Sequence, residues 1–177
     1  KEAWDEFLAG HSGLLNAPTG YGKTFALFLP VIIEWINANK NWQEKKNNGL
    51  RLLWVTPLRA LAKDLQRAMQ EVCDTISLPW TVGLRSGDTN TKERARQKVK
   101  LPEILIITPE SLHVILTQKE YPAHFKKLHT VVIDEWHELL GTKRGVQTQL
   151  CLARLRRLAP ELRIWGLSAT IGNLDEA

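Results

Sequence analysis

Apolar and polar positions follow two rhythms along this chain, and the change from one to the other marks out its elements. Ala3, Trp4, Phe7 and Leu8 recur at helical spacing, which predicts a short amphipathic helix with its apolar face on a sheet. Gly13-Leu14-Leu15-Asn16-Ala17 reads as a short buried strand. Phe25 to Ile33 is apolar on every side, as in a helix covered all round, with a bend expected at Pro30. Leu52 to Thr56, Thr81 to Leu84, Ile104 to Ile107, Val131 to Ile133 and Ile164 to Leu167 are continuous apolar runs of strand length. Between them lie helical patterns. Leu58, Leu61, Ala62, Leu65, Ala68, Met69, Val72, Cys73 and Ile76 repeat at three and four, with Arg59, Lys63, Asp64, Gln66 and Arg67 outside. A further helix is expected from about Leu112 to Leu116. Another runs from Val146 to Leu158, with Val146, Leu150, Ala153 and Leu155 among its apolar positions. Strands that are apolar throughout and alternate with helices predict an α/β fold: a parallel twisted sheet with helices on both faces.

Composition narrows the class. A chain of 177 residues, 44% hydrophobic and 24% charged, fits one globular domain with a full core rather than a disordered segment. The formal charge of +5 suits a polyanionic partner, but it is thinly spread. Lys92, Arg94, Arg96, Lys98 and Lys100 follow one another at steps of two, so on a helix they point to nearly opposite sides and form a solvated surface, not one basic stripe. The polar stretch Asn37 to Asn48 reads as an exposed loop, and Trp42 within it as an anchor on its own domain rather than a platform for a base. Cys73 and Cys151 stand apart from each other and from any Cys/His cluster, so neither a structural metal nor a disulfide framework is expected, and a reducing, cytoplasmic setting is. The longest apolar run falls far short of the roughly 18 residues that cross a bilayer, so no membrane partner is expected. The chain opens on Lys1-Glu2-Ala3-Trp4 without an initiator methionine and reads as a piece of something longer.

The polar segments at the ends of the apolar runs carry the chemistry. Ala17-Pro18-Thr19-Gly20-Tyr21-Gly22-Lys23-Thr24 ends in the Gly-Lys-Thr of a phosphate-binding loop, with alanine where that pattern opens on glycine. Glycines let the backbone turn several N–H groups toward phosphate oxygens, and the helix that follows favours an anion at its start. Thr19, Gly20, Tyr21, Gly22, Lys23 and Thr24 are therefore the expected nucleotide site, with Lys23 on the β- and γ-phosphates and the Thr24 hydroxyl on Mg²⁺. Val131-Val132-Ile133-Asp134-Glu135 has the apolar strand and terminal carboxylates of a Walker B element: Asp134 for the metal, Glu135 for the water that attacks the γ-phosphate. His137 is placed to link the nucleotide to Ser168 or Thr170. In open α/β sheets ligands bind at the carboxyl ends of the strands, so these segments are expected to share one rim.

Taken in order, Ala-x-Thr-Gly-x-Gly-Lys-Thr, Thr56-Pro57-Leu58-Arg59-Ala60-Leu61, Thr108-Pro109-Glu110-Ser111, Asp134-Glu135-Trp136-His137 and Ser168-Ala169-Thr170 resemble motifs I, Ia, Ib, II and III of superfamily 2 DExH-box helicases. Asp-Glu-Trp-His-Glu-Leu-Leu-Gly-x-Lys-Arg-Gly and Arg85-Ser86-Gly87-Asp88-Thr89 are similar to the Lhr-type, ligase-associated branch of bacterial DNA helicases. The resemblance implies a P-loop NTPase motor domain: residues 1–177 as the first of two RecA-like domains, ending just after motif III, with ATP in the cleft between the two and single-stranded nucleic acid across the top. It implies that Pro57, Arg59, Gly87, Thr108 and Pro109 lie near the nucleic-acid backbone, where contacts position a strand without reading its sequence. DNA is expected over RNA, in repair. An RNA helicase, or a nucleotide-controlled binding module that does not unwind, are the rival readings. Without the second domain and its arginine finger, this stretch alone is expected to be folded and monomeric but nearly inactive.

Overall fold

The computed structural model describes residues 2–16 and 22–169. Six helices, α1 (Glu2–Leu8), α2 (Gly22–Ala38), α3 (Arg59–Thr75), α4 (Thr91–Val99), α5 (Pro109–Thr117) and α6 (Lys143–Leu158), alternate with six strands among these residues. The strands are β1 (Gly13–Asn16), β2 (Leu52–Val55), β3 (Val82–Arg85), β4 (Ile104–Ile107), β5 (Thr130–Ile133) and β6 (Arg163–Ser168). All pair in parallel, in the order β1-β6-β5-β2-β4-β3. The α/β expectation holds.

The two-residue period of a strand divides the core into two layers. Leu52 and Trp54, Ile104 and Ile106, and Val132 face α2 and α3, where Leu27, Phe28, Ile32, Met69 and Cys73 complete the packing. Leu53 and Val55, Leu105 and Ile107, and Val131 and Ile133 face the other way, toward Leu112, Leu116, Cys151 and Leu155 of α5 and α6. Every residue of β2, β4 and β5 is buried, which is why these runs carry no polar alternation.

Several expectations are corrected. β1 is a half-exposed edge strand rather than a buried one: it pairs only with β6, so Gly13 and Asn16 stay open to solvent. The helix α2 runs through Pro30 to Ala38, taking Asn37 out of the polar loop, and Ile33 emerges on an uncovered side. Trp42 packs against the α2/α3 layer, as an anchor does. Leu61 in α3 and its caps Leu58 and Ile76 are exposed, whereas Gln66 turns inward. Its amide donates to the Val82 carbonyl at 2.8 Å, and the Gln70 side chain accepts from the Val82 amide at 2.8 Å. With Gln97 donating to the Leu84 carbonyl, these side chains satisfy the free edge of β3, a row of backbone groups that otherwise invites pairing with another chain. The alternating cations of α4 disperse as their spacing implies: Arg94 to loop carbonyls, Arg96 to Glu93, Lys98 to Glu120 and Lys100 to Asn47.

Both α5 and α6 start earlier than their apolar patterns, because each is opened by a polar cap. Thr108 accepts from the Ser111 amide with Pro109 in the first turn, and Thr142 accepts from the Gly145 amide at 3.0 Å. Gly145 lies so close to the Leu139 carbonyl that a Cβ there would stand 2.1 Å from it, and this contact sets the phase of α6. Its buried face therefore runs through Gly145, Thr148, Cys151 and Leu155, while Val146 and Leu150 are 57% and 64% exposed. Urea unfolding checks that phase. Leu155→Ala is expected to remove about 2–5 kcal/mol, the range for a truncated core leucine, and Leu150→Ala to stay within about 0.5 kcal/mol of the parent. Equal losses would mean that α6 is rotated.

Candidate functional site at the carboxyl ends of the strands

β2, β4 and β5 end in register, Val55 opposite both Ile107 and Ile133. The residues that follow them, Thr56, Thr108 and Asp134, continue the ladder: their amides donate to the carbonyls of Ile107, Arg85 and Val55 at 3.0, 3.1 and 2.8 Å. Polar groups carried by separate strands are thereby fixed along one edge, as expected of a shared rim.

At the β1-β6-β5 part of that edge, Asp134 occupies a half-buried position. The Trp54 indole N–H donates to its Oδ2 at 3.3 Å and the Glu135 amide donates to its Oδ1 at 3.0 Å. Burial raises its pKa, and the Glu135 charge acts in the same direction; the Trp54 hydrogen bond and the nearby Lys23 ammonium offset part of this. Glu135 has left-handed backbone, with φ 48° and ψ 49°, and opens a short 3-10 turn over Trp136–Glu138. The turn brings His137 back to its neighbours. Its Nδ1 lies 3.2 Å from the Ser168 hydroxyl and 3.5 Å from Glu135 Oε2, and its Nε2 lies 3.5 Å from Glu138 Oε1. Lys23, in the first turn of α2, donates from Nζ to the Ser168 carbonyl at 3.4 Å. Lys23, Asp134, Glu135, His137 and Ser168 thus converge from the start of α2 and the ends of β5 and β6. Gly22 and Thr24 lie beside Lys23 in the same turn. Thr19, Gly20, Tyr21 and Thr170 lie outside the described residues.

Further along the edge, a cavity of about 170 Å³ is lined by Arg59, Arg85, Ser86, Gly87, Arg94, Thr108, Glu110, Ser111 and Val114. Of the residues expected near a strand, Arg59, Gly87 and Thr108 line it. Pro57 and Pro109 are buried and do not, because one closes β2 and the other opens α5. Arg94 organises the Ser86–Thr89 loop: its guanidinium donates to the carbonyls of Ser86, Gly87 and Thr89 at 3.2, 2.7 and 2.7 Å. Arg59 reaches across to Asp88 at 3.8 Å. Sequence reasoning missed Arg85, Arg94 and Trp54. Arg85 was legible as the last residue of a strand, at the same rim as the others. Trp54 was hidden, since an indole inside an apolar strand reads as core whether or not its N–H has a partner.

The sequence model of the DEAD/DEAH box helicase family matches residues 1–177. Among curated relatives, the chain is 38% identical to ATP-dependent helicase Lhr-Core protein 2 of Thermococcus barophilus, over 97% of its own length and 21% of that protein. It is also 38% identical to the Lhr helicase/probable uracil glycosylase of Mycolicibacterium smegmatis, over 99% of the chain and 12% of that protein. The structure of Mycobacterium smegmatis helicase Lhr bound to ssDNA and AMP-PNP superposes with a TM-score of 0.77 at 36% identity, covering 96% of this chain and 22% of that one. DUF1998 helicase MrfA bound to DNA and AMPPNP gives a TM-score of 0.81 at 25% identity, covering 99% of this chain and 24% of that one. The chain therefore spans between an eighth and a quarter of these proteins. A helicase-family pattern matched from the first residue to the last, on a six-stranded parallel sheet that superposes on solved helicases, establishes that this chain belongs to the DEAD/DEAH box helicase family.

Proposed function

We propose that this chain is the first RecA-like, ATP-binding domain of an ATP-dependent DNA helicase of Lhr type. The observation that carries the reading is the convergence of Lys23, Asp134, Glu135, His137 and Ser168 on one rim, next to a cavity bordered by Arg59, Arg85 and Arg94. The relatives support it, since two of the solved helicases carry an ATP analogue together with DNA. A relative whose name joins a helicase to a probable uracil glycosylase fits a role in DNA repair.

Within this reading each side chain has a task. Gly22, Lys23 and Thr24, with Thr19, Gly20 and Tyr21 before them, bind the phosphates, and Lys23 leaves the Ser168 carbonyl to neutralise phosphate charge. Thr24 and Asp134 would hold Mg²⁺. The donor set fits: Asp134 is a half-buried carboxylate whose two N–H donors leave further lone pairs free, and partial burial disfavours its charge in a way a cation would offset. When bound, the ion would supply neutralisation of phosphate charge. Glu135 orients and deprotonates the attacking water. His137, between Glu135 and Ser168, reports the state of the nucleotide to the end of β6, toward Thr170. Arg59, Gly87 and Thr108 hold the sugar-phosphate backbone of a single strand, and Pro57 and Pro109 shape the turns that present them. A second RecA-like domain supplies the other half of the ATP cleft and its arginine finger.

ATP hydrolysis by the full-length protein tests this reading. Single-stranded DNA is expected to stimulate it strongly, and more than RNA of matched length and salt; stimulation by RNA alone would make this an RNA helicase, and none by either would make it a nucleotide-controlled binding module. Two substitutions divide the nucleotide site. Lys23→Ala removes charge-assisted hydrogen bonds and is expected to weaken nucleotide binding roughly ten- to hundredfold in a fluorescent-nucleotide titration. Glu135→Gln is expected to leave that affinity unchanged while slowing hydrolysis by about 10²–10⁴, the usual contribution of a general base. A Glu135→Gln protein that no longer bound nucleotide would assign that residue to structure instead.

A further inference from the structure

The Lys143-Arg144-Gly145 step, which follows the Asp134–Glu135 pair in sequence, lies in neither the nucleotide site nor the cationic cavity. Its geometry explains why it is built as it is. Gly141, with φ +67°, and the Thr142 cap end the turn after Leu139 and start α6, and Gly145 is pressed against the Leu139 carbonyl. Arg144 is thereby fixed in the first turn of α6, nine residues after Glu135. From there its guanidinium reaches two other segments. Its Nε donates to Glu110 Oε1 at 2.6 Å, in the first turn of α5, and its Nη2 donates to the Pro57 carbonyl at 3.3 Å, in the turn between β2 and α3.

We propose that Arg144 is a positioning residue that clamps the Pro57–Arg59 and Thr108–Ser111 segments in one arrangement and ties that arrangement to the chain leaving Glu135. The inference rests on the reading of those two segments as the nucleic-acid track. Each brings a residue to the cavity, Arg59 from one and Thr108 and Ser111 from the other, yet they belong to different strand-to-helix turns, and their spacing depends on what bridges them. A guanidinium suits the task, since its fork presents donors in two fixed directions, whereas an ammonium is a single point. Glu110 leans on this partner: burial pushes its pKa up, but the Arg144 hydrogen bond and charge, with smaller help from its own backbone amide and Thr108, hold it below the ordinary value, and its second oxygen is buried with no hydrogen-bond partner among the described residues. Arg144 itself lines no part of the cavity, so it acts through the segments it holds.

The test uses the full-length protein with Arg144→Ala and Arg144→Lys. A single-stranded oligothymidylate is titrated against ATP hydrolysis, and amide hydrogen exchange is followed over residues 56–61 and 108–112. Arg144→Ala is expected to raise the half-saturating DNA concentration by roughly two- to thirtyfold, the range for substitutions that couple sites without touching ligand. Hydrolysis without DNA and the KM for ATP stay at their parent values, and exchange quickens in both segments. Arg144→Lys, which keeps the charge and one donor direction, recovers part of the lost DNA affinity. Unchanged half-saturation overturns the proposal even if exchange quickens, because Arg144 is then purely structural. Unchanged exchange overturns it as well. If DNA fails to stimulate the parent protein, the proposed function fails separately, and the exchange measurement alone decides whether the clamp exists.

Discussion

Everything at the rim depends on the register of the central parallel strands. Because β2, β4 and β5 end level with one another, the next amide along each chain donates to the neighbouring strand, and Thr56, Thr108 and Asp134 are held by backbone bonds before any side chain contributes. A slip of one residue in one strand would exchange its two faces as well as displace its rim residue. Here both faces are buried, so a slip would leave the same class of side chain in each layer, and hydrophobicity alone specifies register weakly. What resists it is shape, with Trp54 registered against Ile106 and Val132 on one face, together with the polar residues that close each strand.

The electrostatics follow from that placement. Asp134 is half-buried because it follows directly on the fully covered β5, and a carboxylate withdrawn from water is stable only with donors or a cation at hand. Two N–H groups and a nearby ammonium satisfy it in part. In the proposed reading the remaining demand is one that a divalent ion would meet, through a deficit of positive charge around one carboxylate. The second part of the rim is organised in the opposite sense. Arg59, Arg85 and Arg94 border one small cavity, and each has a partner that limits where it points, Asp88 for Arg59, Gln97 for Arg85 and the loop carbonyls for Arg94. In the proposed reading, cations fixed in this way would hold a nucleic-acid backbone without responding to its bases.

The parallel sheet, its two covered faces and the shared rim were legible because buried strands, helical periods and strand-end motifs each have their own spacing. Features set by tertiary contact were not. β1 has the same apolar letters as an interior strand, and only its place at the edge exposes it. The face of α6 was obscured because Val146 and Leu150 sit at helical spacing, while the buried line through Gly145 and Thr148 is set by a cap and a close backbone approach. Gln66, Gln70 and Gln97 look like surface residues, yet they complete the edge of β3, a role that depends on which strand lacks a neighbour. Within the candidate site, residues at motif positions were readable by type and order. Trp54, Arg94 and Arg144 were not, since each acts on a group that is distant in sequence or belongs to the backbone.

Backbone strain singles out one position. Among the described residues, Asn47, Ser77 and Glu135 have positive φ without being glycine. Ser77 follows the end of α3, where the Leu78 amide donates back to the Cys73 carbonyl at 2.8 Å, the ordinary left-handed exit from a helix. Asn47 is of a residue type that tolerates this region, in a polar loop. Glu135 has neither excuse: it stands between a strand and a 3-10 turn, its side chain is not one that favours the conformation, and such a residue costs about 1–3 kcal/mol when held there. Glycine would relieve the strain but bring no carboxylate. The surroundings that hold Glu135 in place are the bond from its own amide to Asp134 and the return of His137 to Ser168, both of them contacts within the candidate site. The strain is thus maintained by the groups that need Glu135 where it is, which is the pattern expected when geometry at one residue serves chemistry rather than folding.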